Sequence, residues 1–289
     1  MAATRPQRTG IRMDKAEYYI SRVTQLPPAP TLLTELLGLF RDPDRDIDRV
    51  VELLSFDPSL TAEILKRCNG AFFGRAPASD MFEAVSRIGF YEVYCMVVGM
   101  FGAKTKAMPG VREAIDASKL WRHTVVTAVA ASTLAKITDH SEGAAFTAGL
   151  LHDIGKLVLA SVEGRRYGDL LELAQSTGQS SHDAEQGVFG TNHAEIGGLL
   201  LEQWKLPPEV HRAVRFHHEP TAAGADSHMA VIIHLADWMA HGFEAKKPLP
   251  LTESARQAFV SIGLGYSDLP RFSNATMKAL DRVKGLLEL

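Results

Sequence analysis

Apolar residues recur at helical spacing along nearly the whole chain, and no β-branched run alternates cleanly over even about six residues. A period near 3.6 calls for helices packed on helices, whereas a sheet would need the period-two pattern that is missing. The pattern predicts an all-α fold. With 289 residues, of which 46% are apolar, the chain can bury a real core in one large domain or two modest ones.

Punctuation in the first half predicts short helices with clear stops. Leu26-Pro27-Pro28-Ala29-Pro30 reads as an extended entry to a stripe of Leu32, Leu33, Leu36, Leu37 and Phe40, which Arg41-Asp42-Pro43-Asp44 ends. Asp46 to Asp48 opens the next helix, with Val50, Val51, Leu53 and Leu54 inward. Asp57-Pro58 then places a capping acid before proline at the first helical position. That helix carries Leu60, Ile64, Leu65 and Cys68 and stops at Asn69-Gly70; two more span about 80–89 and 91–100. Pro109-Gly110 is the one convincing internal boundary. The expected organisation is a disordered leader over 1–13, a first helical lobe over 14–108 and a second over 109–289. The first lobe is expected to lack chemistry and to offer a binding surface.

Composition narrows the function. Thirty-one Lys and Arg against 34 Asp and Glu leave a net charge of −3, without the basic excess of a nucleic-acid binder. The two cysteines, Cys68 and Cys95, are too few for a disulfide framework and sit among apolar neighbours. The polar N-terminus lacks the apolar stretch of a signal peptide, and no run approaches the roughly 18 apolar residues of a membrane span. These readings predict a cytoplasmic protein that binds neither membrane nor nucleic acid.

The second half carries the chemistry. A long helix over about 114–137 holds His123 on its apolar stripe, and a helix over about 144–150 runs into His152-Asp153-Ile154-Gly155-Lys156. Asn192 and Glu195 suggest a capping box for a helix through Trp204, with His193 in its first turn. A helix from Leu206-Pro207-Pro208 ends at His217-His218-Glu219-Pro220, and one over about 228–241 contains Asp237. Each residue has a plain reading taken alone. His123 can be a hydrogen-bonded core histidine, Asp237 a cap, His193 a surface residue, and His217 with His218 a helix-end pair favoured by the dipole. Together they are polar donors on otherwise apolar stretches, where burial is costly without compensation, and a shared ion supplies it. A neutral imidazole gives one lone pair, and a carboxylate has two oxygens that can bridge two ions.

The order His, His-Asp, His, His-His, Asp resembles the HD superfamily of metal-dependent hydrolases, through Arg122-His123, His152-Asp153-Ile154-Gly155-Lys156, Asn192-His193, His217-His218-Glu219 and Ala236-Asp237. Leu26-Pro27-Pro28-Ala29-Pro30, Asp57-Pro58-Ser59-Leu60-Thr61, Leu65 through Asn69, Ile88-Gly89 and Trp204-Lys205-Leu206-Pro207 narrow the resemblance to the HDOD family, over about residues 20–245. The resemblance implies an HD-like second lobe and a bacterial regulatory role. It also implies one or two divalent transition-metal ions, iron, manganese or zinc. His123, His152, Asp153 and Asp237 match the ligands of one ion; Asp153 as a bridge, with His193, His217 and His218, matches those of a second. Lys156 matches a lysine near substrate phosphate, with a solvated helix-end charge as the alternative.

Two departures from the family pattern narrow the chemistry. Three-metal relatives carry Glu four residues before the first His, where this chain has Lys119, a cation that repels a third ion. The Gly-Tyr-Pro of cyclic-di-GMP hydrolases is replaced by Glu219-Pro220-Thr221-Ala222-Ala223-Gly224. Three readings stay open. One is a metal-dependent phosphohydrolase with Asp153 and Lys156 as catalytic residues, acting on a phosphorylated small molecule. Another is a non-catalytic output module whose metal clips helices together while it binds a ligand or a protein partner. The third is a di-iron HD-type oxygenase.

Overall fold

The computed structural model describes residues 14–23, 35, 36, 39, 47–55, 58–69, 78, 80–94, 96, 97, 110–245, 250 and 252–283. Among them there is no strand, and the all-α expectation holds. The leader over 1–13, the proline-rich entry at 26–30, Asp57, Cys95 and Pro109 lie outside the described residues.

The earlier helices are α1 (Lys15–Arg22), α2 (Ile47–Ser55), α3 (Pro58–Cys68) and α4 (Met81–Ile88). Asp80 caps α4 by accepting from the Glu83 amide, and Gly89 closes it at a φ of 95°, a value that a side chain resists. This half meets the rest through α1, which packs on the helices over 193–203 and 154–163, and through aromatic rings. Tyr91 and Tyr94 pack edge-on against Phe146, and the Tyr94 hydroxyl bonds that of Thr147. The buried apolar residues of both halves belong to one continuous core.

The second half runs α5 (Val111–Ala114), α6 (Ala117–Ile137), α7 (Glu142–Leu151), α8 (Ile154–Glu163), α9 (Arg165–Thr177), α10 (Ser181–Phe189), α11 (His193–Gln203), α12 (Pro208–Arg215), α13 (Ser227–Ala245), α14 (Glu253–Ser261) and α15 (Leu269–Val283). The central layer is α6, packed most extensively on α7 and α13. Small residues allow the approach. A β-carbon at Gly149 of α7 would stand 2.9 Å from the Ala128 α-carbon of α6. Asp116 starts α6 by accepting from the Ser118 and Lys119 amides, satisfying two of the four orphan donors there.

Two local expectations are corrected. Asn192 caps α11 by accepting from the Glu195 amide, but the Glu195 carboxylate accepts from the Thr191 hydroxyl instead of closing a reciprocal box. The run Glu142–Glu163 is long and apolar enough to cross a membrane by length and composition, contrary to the sequence count. Its residues are mostly buried inside the fold, and the turn at His152-Asp153 divides it into α7 and α8. It is a buried pair of core helices joined by that turn.

Candidate metal centre

Each sequence-selected residue arrives from its own place in the fold. His123 projects from the middle of α6 and Asp237 from the middle of α13. His152 and Asp153 form the turn between α7 and α8, as the last cap of one and the first cap of the other. His193 opens α11, and His217 with His218 follows the end of α12. Helix ends place functional groups well, because their residues leave the intrahelical ladder and can face a neighbour.

The seven side chains converge in two groups about Asp153. In the first, His123 Nε2 lies 2.9 Å from Asp237 Oδ1, and His152 Nε2 lies 3.8 Å from the same oxygen. In the second, His193 Nε2 lies 2.9 Å from His218 Nε2, and the His217 ring sits 4.0 Å from that of His218. Asp153 spans both: Oδ2 is 3.5 Å from His152 Nε2, and Oδ1 is 3.4 Å from His193 Nε2. His123, His152 and Asp237 thus offer three donors close enough to share an ion, and so do His193, His217 and His218.

Backbone carbonyls prepare the imidazoles. His152 Nδ1 is 2.6 Å from the Gly149 carbonyl and His217 Nδ1 is 2.7 Å from that of Val214. A carbonyl only accepts, so each Nδ1 carries the proton and each Nε2 keeps a lone pair. Both Nε2 atoms are buried without a hydrogen-bond partner. Buried nitrogens of this kind, facing carboxylates and other imidazoles, call for an explanation, and a shared cation is the one that uses their lone pairs. The donor set fits a divalent transition metal.

Charge around the centre points the same way. Burial pushes the His152, His217 and His218 imidazoles below their ordinary range, toward the neutral form that ligates. Burial also opposes ionisation of Asp153 and Asp237. Lys156 and nearby imidazoles outweigh it at Asp153, and the hydrogen bond from His123 does so at Asp237, so both stay carboxylates. At His123 burial opposes the charged form, but the Asp237 and Glu244 carboxylates raise it to about 10. A proton supplies the positive charge there when nothing else does.

Lys156 is not a solvated helix-end charge. Its ammonium donates to Asp153 Oδ2 at 2.7 Å, one helical turn along α8. The i, i+3 spacing and the burial of Asp153 favour pairing over solvation.

Sequence reading missed the carboxylate behind His193. Glu185 of α10 is fully buried; its Oε2 accepts from His193 Nδ1 at 2.6 Å and from the His193 amide at 2.7 Å, while Oε1 accepts from the Tyr167 hydroxyl at 2.7 Å. This fixes the ring and its tautomer, as outer carboxylates do for ligating histidines. Glu185→Gln removes the negative charge behind His193 and turns one acceptor oxygen into a donor. It is expected to weaken metal affinity by about 10–100-fold, read by competition with a chromophoric chelator. An unchanged affinity would remove Glu185 from the centre.

A pocket of about 270 Å³ opens beside His218, lined by His182, Asn192, Arg215 and Phe216 among others. The His182 ring lies 4.7 Å from that of His218.

Residues 26–220 match the HDOD domain model. The chain belongs to the HDOD domain family. A protein of Treponema pallidum (strain Nichols), described as uncharacterized, is 29% identical over 201 residues; these are 68% of this chain but only 38% of that relative. A crystal structure from Shewanella amazonensis SB2B, provisionally described as a phosphohydrolase, is 25% identical with a TM-score of 0.68, covering 95% of this chain and 100% of that one. A structure from Marinobacter aquaeolei VT8, provisionally described as a signal transduction protein, is 23% identical with a TM-score of 0.74, covering 95% of this chain and 65% of that one. The likeness to these structures shows a shared all-α fold.

Proposed function

We propose that this HDOD protein is a regulatory module whose His/Asp centre binds one or two divalent transition-metal ions and hydrolyses a phosphoester. The observation that carries the reading is Asp153, with one carboxylate oxygen turned to each donor group, beside the buried imidazoles of His152 and His217, whose Nε2 atoms have no hydrogen-bond partner. The descriptions of the Shewanella and Marinobacter proteins support the two halves of the proposal, phosphohydrolase and signalling.

A bound divalent ion brings the pKa of its water toward 7 and polarises a phosphoryl oxygen. The chain's own residues do the rest. Asp153 holds the two groups at a fixed spacing, Glu185 and the Gly149 and Val214 carbonyls aim the rings, and the core helices exclude bulk water. Lys156 balances the Asp153 charge. Arg215 in the adjoining pocket can receive an anionic group of the substrate.

The structural-clip reading has one observation in its favour: the donors tie α6, the α7–α8 turn, α11, the end of α12 and α13 together in the core. One experiment separates the readings. Protein purified without added metal is expected to hold one or two ions per chain, and to turn over generic phosphoesters in a manner lost on chelation and restored by one metal. Metal without turnover, together with a melting temperature that falls on chelation, favours the clip. Iron with oxygen consumption favours the oxygenase.

A further inference from the structure

Helix α13 carries two donors that the inner centre does not use. Asp237, His241 and Glu244 stand at i, i+4 and i+7, a single line along the face that meets His123 of α6. The line begins inside and ends in solvent, with the His241 and Glu244 side chains 54% and 27% exposed.

We propose that His123, His241 and Glu244 form a separate, solvent-facing site for one divalent transition-metal ion. It uses the outer nitrogen of a ring whose inner nitrogen faces Asp237. His123 is only 5% exposed, and its Nδ1 is buried without an aligned hydrogen-bond partner. Glu244 Oε1 lies 3.2 Å from that nitrogen, off the line of its N–H. His241 Nδ1 lies 3.6 Å from Glu244 Oε2, and its ring is 4.5 Å from that of His123, tilted by 32°. One atom from each residue lies within 4.8 Å of the others. Ligands of a tetrahedral ion at about 2.0–2.2 Å stand somewhat closer together, and the exposed imidazole can swing to close the difference. Two imidazoles and a carboxylate, with the fourth side open to water, make a zinc-type set with an exchangeable position. Lys119, which disfavours a third ion on the pattern of the three-metal relatives, is exposed and is not one of these donors.

A neutral imidazole has one lone pair, so the outer ion and an inner ion on His123 compete for the ring unless it loses both protons. The site does not depend on turnover at the inner centre. The test is a Co²⁺ titration of the full chain after chelator treatment, read by visible absorption and by competition with a chelator. Wild type is expected to show an equivalent that His241→Ala and Glu244→Gln each weaken by at least about tenfold, and that His152→Ala retains while losing the inner ion that shares His123. Equal stoichiometry and affinity in wild type and His241→Ala overturns the proposal. So does a loss in Glu244→Gln with His241→Ala silent, which makes Glu244 only a positioning residue for His123. Loss of the inner equivalents alone, with the His241-dependent one intact, counts against the proposed function and leaves this site standing.

Discussion

Asp153→Ala is expected to empty the metal centre and to lower the melting temperature in the same variant. The carboxylate is 2% exposed, faces His152 with one oxygen and His193 with the other, and accepts from Lys156 at 2.7 Å. Its removal takes away the bridge between the donor groups and leaves the Lys156 ammonium, whose side chain is 19% exposed, without its partner. Breaking a buried pair from one side costs about 3–5 kcal/mol, because the remaining charge has lost both water and partner. The flexible lysine can reach part of the way to solvent, so the lower end is expected.

A second variant separates the two causes. Lys156→Met in the Asp153→Ala background removes the stranded charge, and it is expected to recover part of the stability without recovering metal. Lys156→Ala alone is expected to keep the metal, since a protonated amine is not a ligand. Chelation is expected to lower the melting temperature of the wild type by mass action, and to lower that of Asp153→Ala much less. Thermal melts with and without chelator, beside elemental analysis, decide the matter. Lost metal with unchanged melting in Asp153→Ala would mean that neither the ion pair nor the ions hold the helices together.

How far the sequence reaches can be judged residue by residue. The ligand candidates are legible because each belongs to a short motif at a helix end or on an apolar stripe, and their order along the chain matches a family pattern. The tautomers are not legible. They depend on the Gly149 and Val214 carbonyls, each three residues before the histidine it fixes, in turns whose shape is settled by packing. Glu185 gives no signal, because it lies on a helix of mostly polar residues and reads as solvated; only the packing of α9 and α11 around it makes it buried. His241 and Glu244 do leave one. The predicted helix ends at about 241, whereas α13 continues to Ala245, and that extra turn puts Glu244 in line with Asp237. The family analogy sets Lys156 beside a substrate that a single chain cannot display, whereas its pairing with Asp153 follows from their spacing alone.

Gly155→Ala is expected to be among the most damaging single-methyl substitutions in the chain. A β-carbon at position 155 would sit 2.0 Å from the His193 carbonyl oxygen and 2.8 Å from its α-carbon. Both are backbone atoms at the start of α11, so no side chain can rotate away. The first turn of α8 must move off α11, and Asp153 lies one residue before α8 while His193 is the first residue of α11. Overpacking of a tight core costs about 1–3 kcal/mol, and more where backbone must shift; the upper end is expected here. The same displacement widens the 3.4 Å gap between Asp153 Oδ1 and His193 Nε2, so metal affinity falls with stability. Gly187 of α10 is the control. Nothing lies within 4 Å of a β-carbon there, and Gly187→Ala is expected to stabilise by about 0.4–1 kcal/mol through the entropy of the unfolded chain. Denaturant unfolding of both variants, with metal content measured alongside, tests the contact: a Gly155→Ala protein as stable and as metal-loaded as wild type would show that α8 and α11 do not meet this closely.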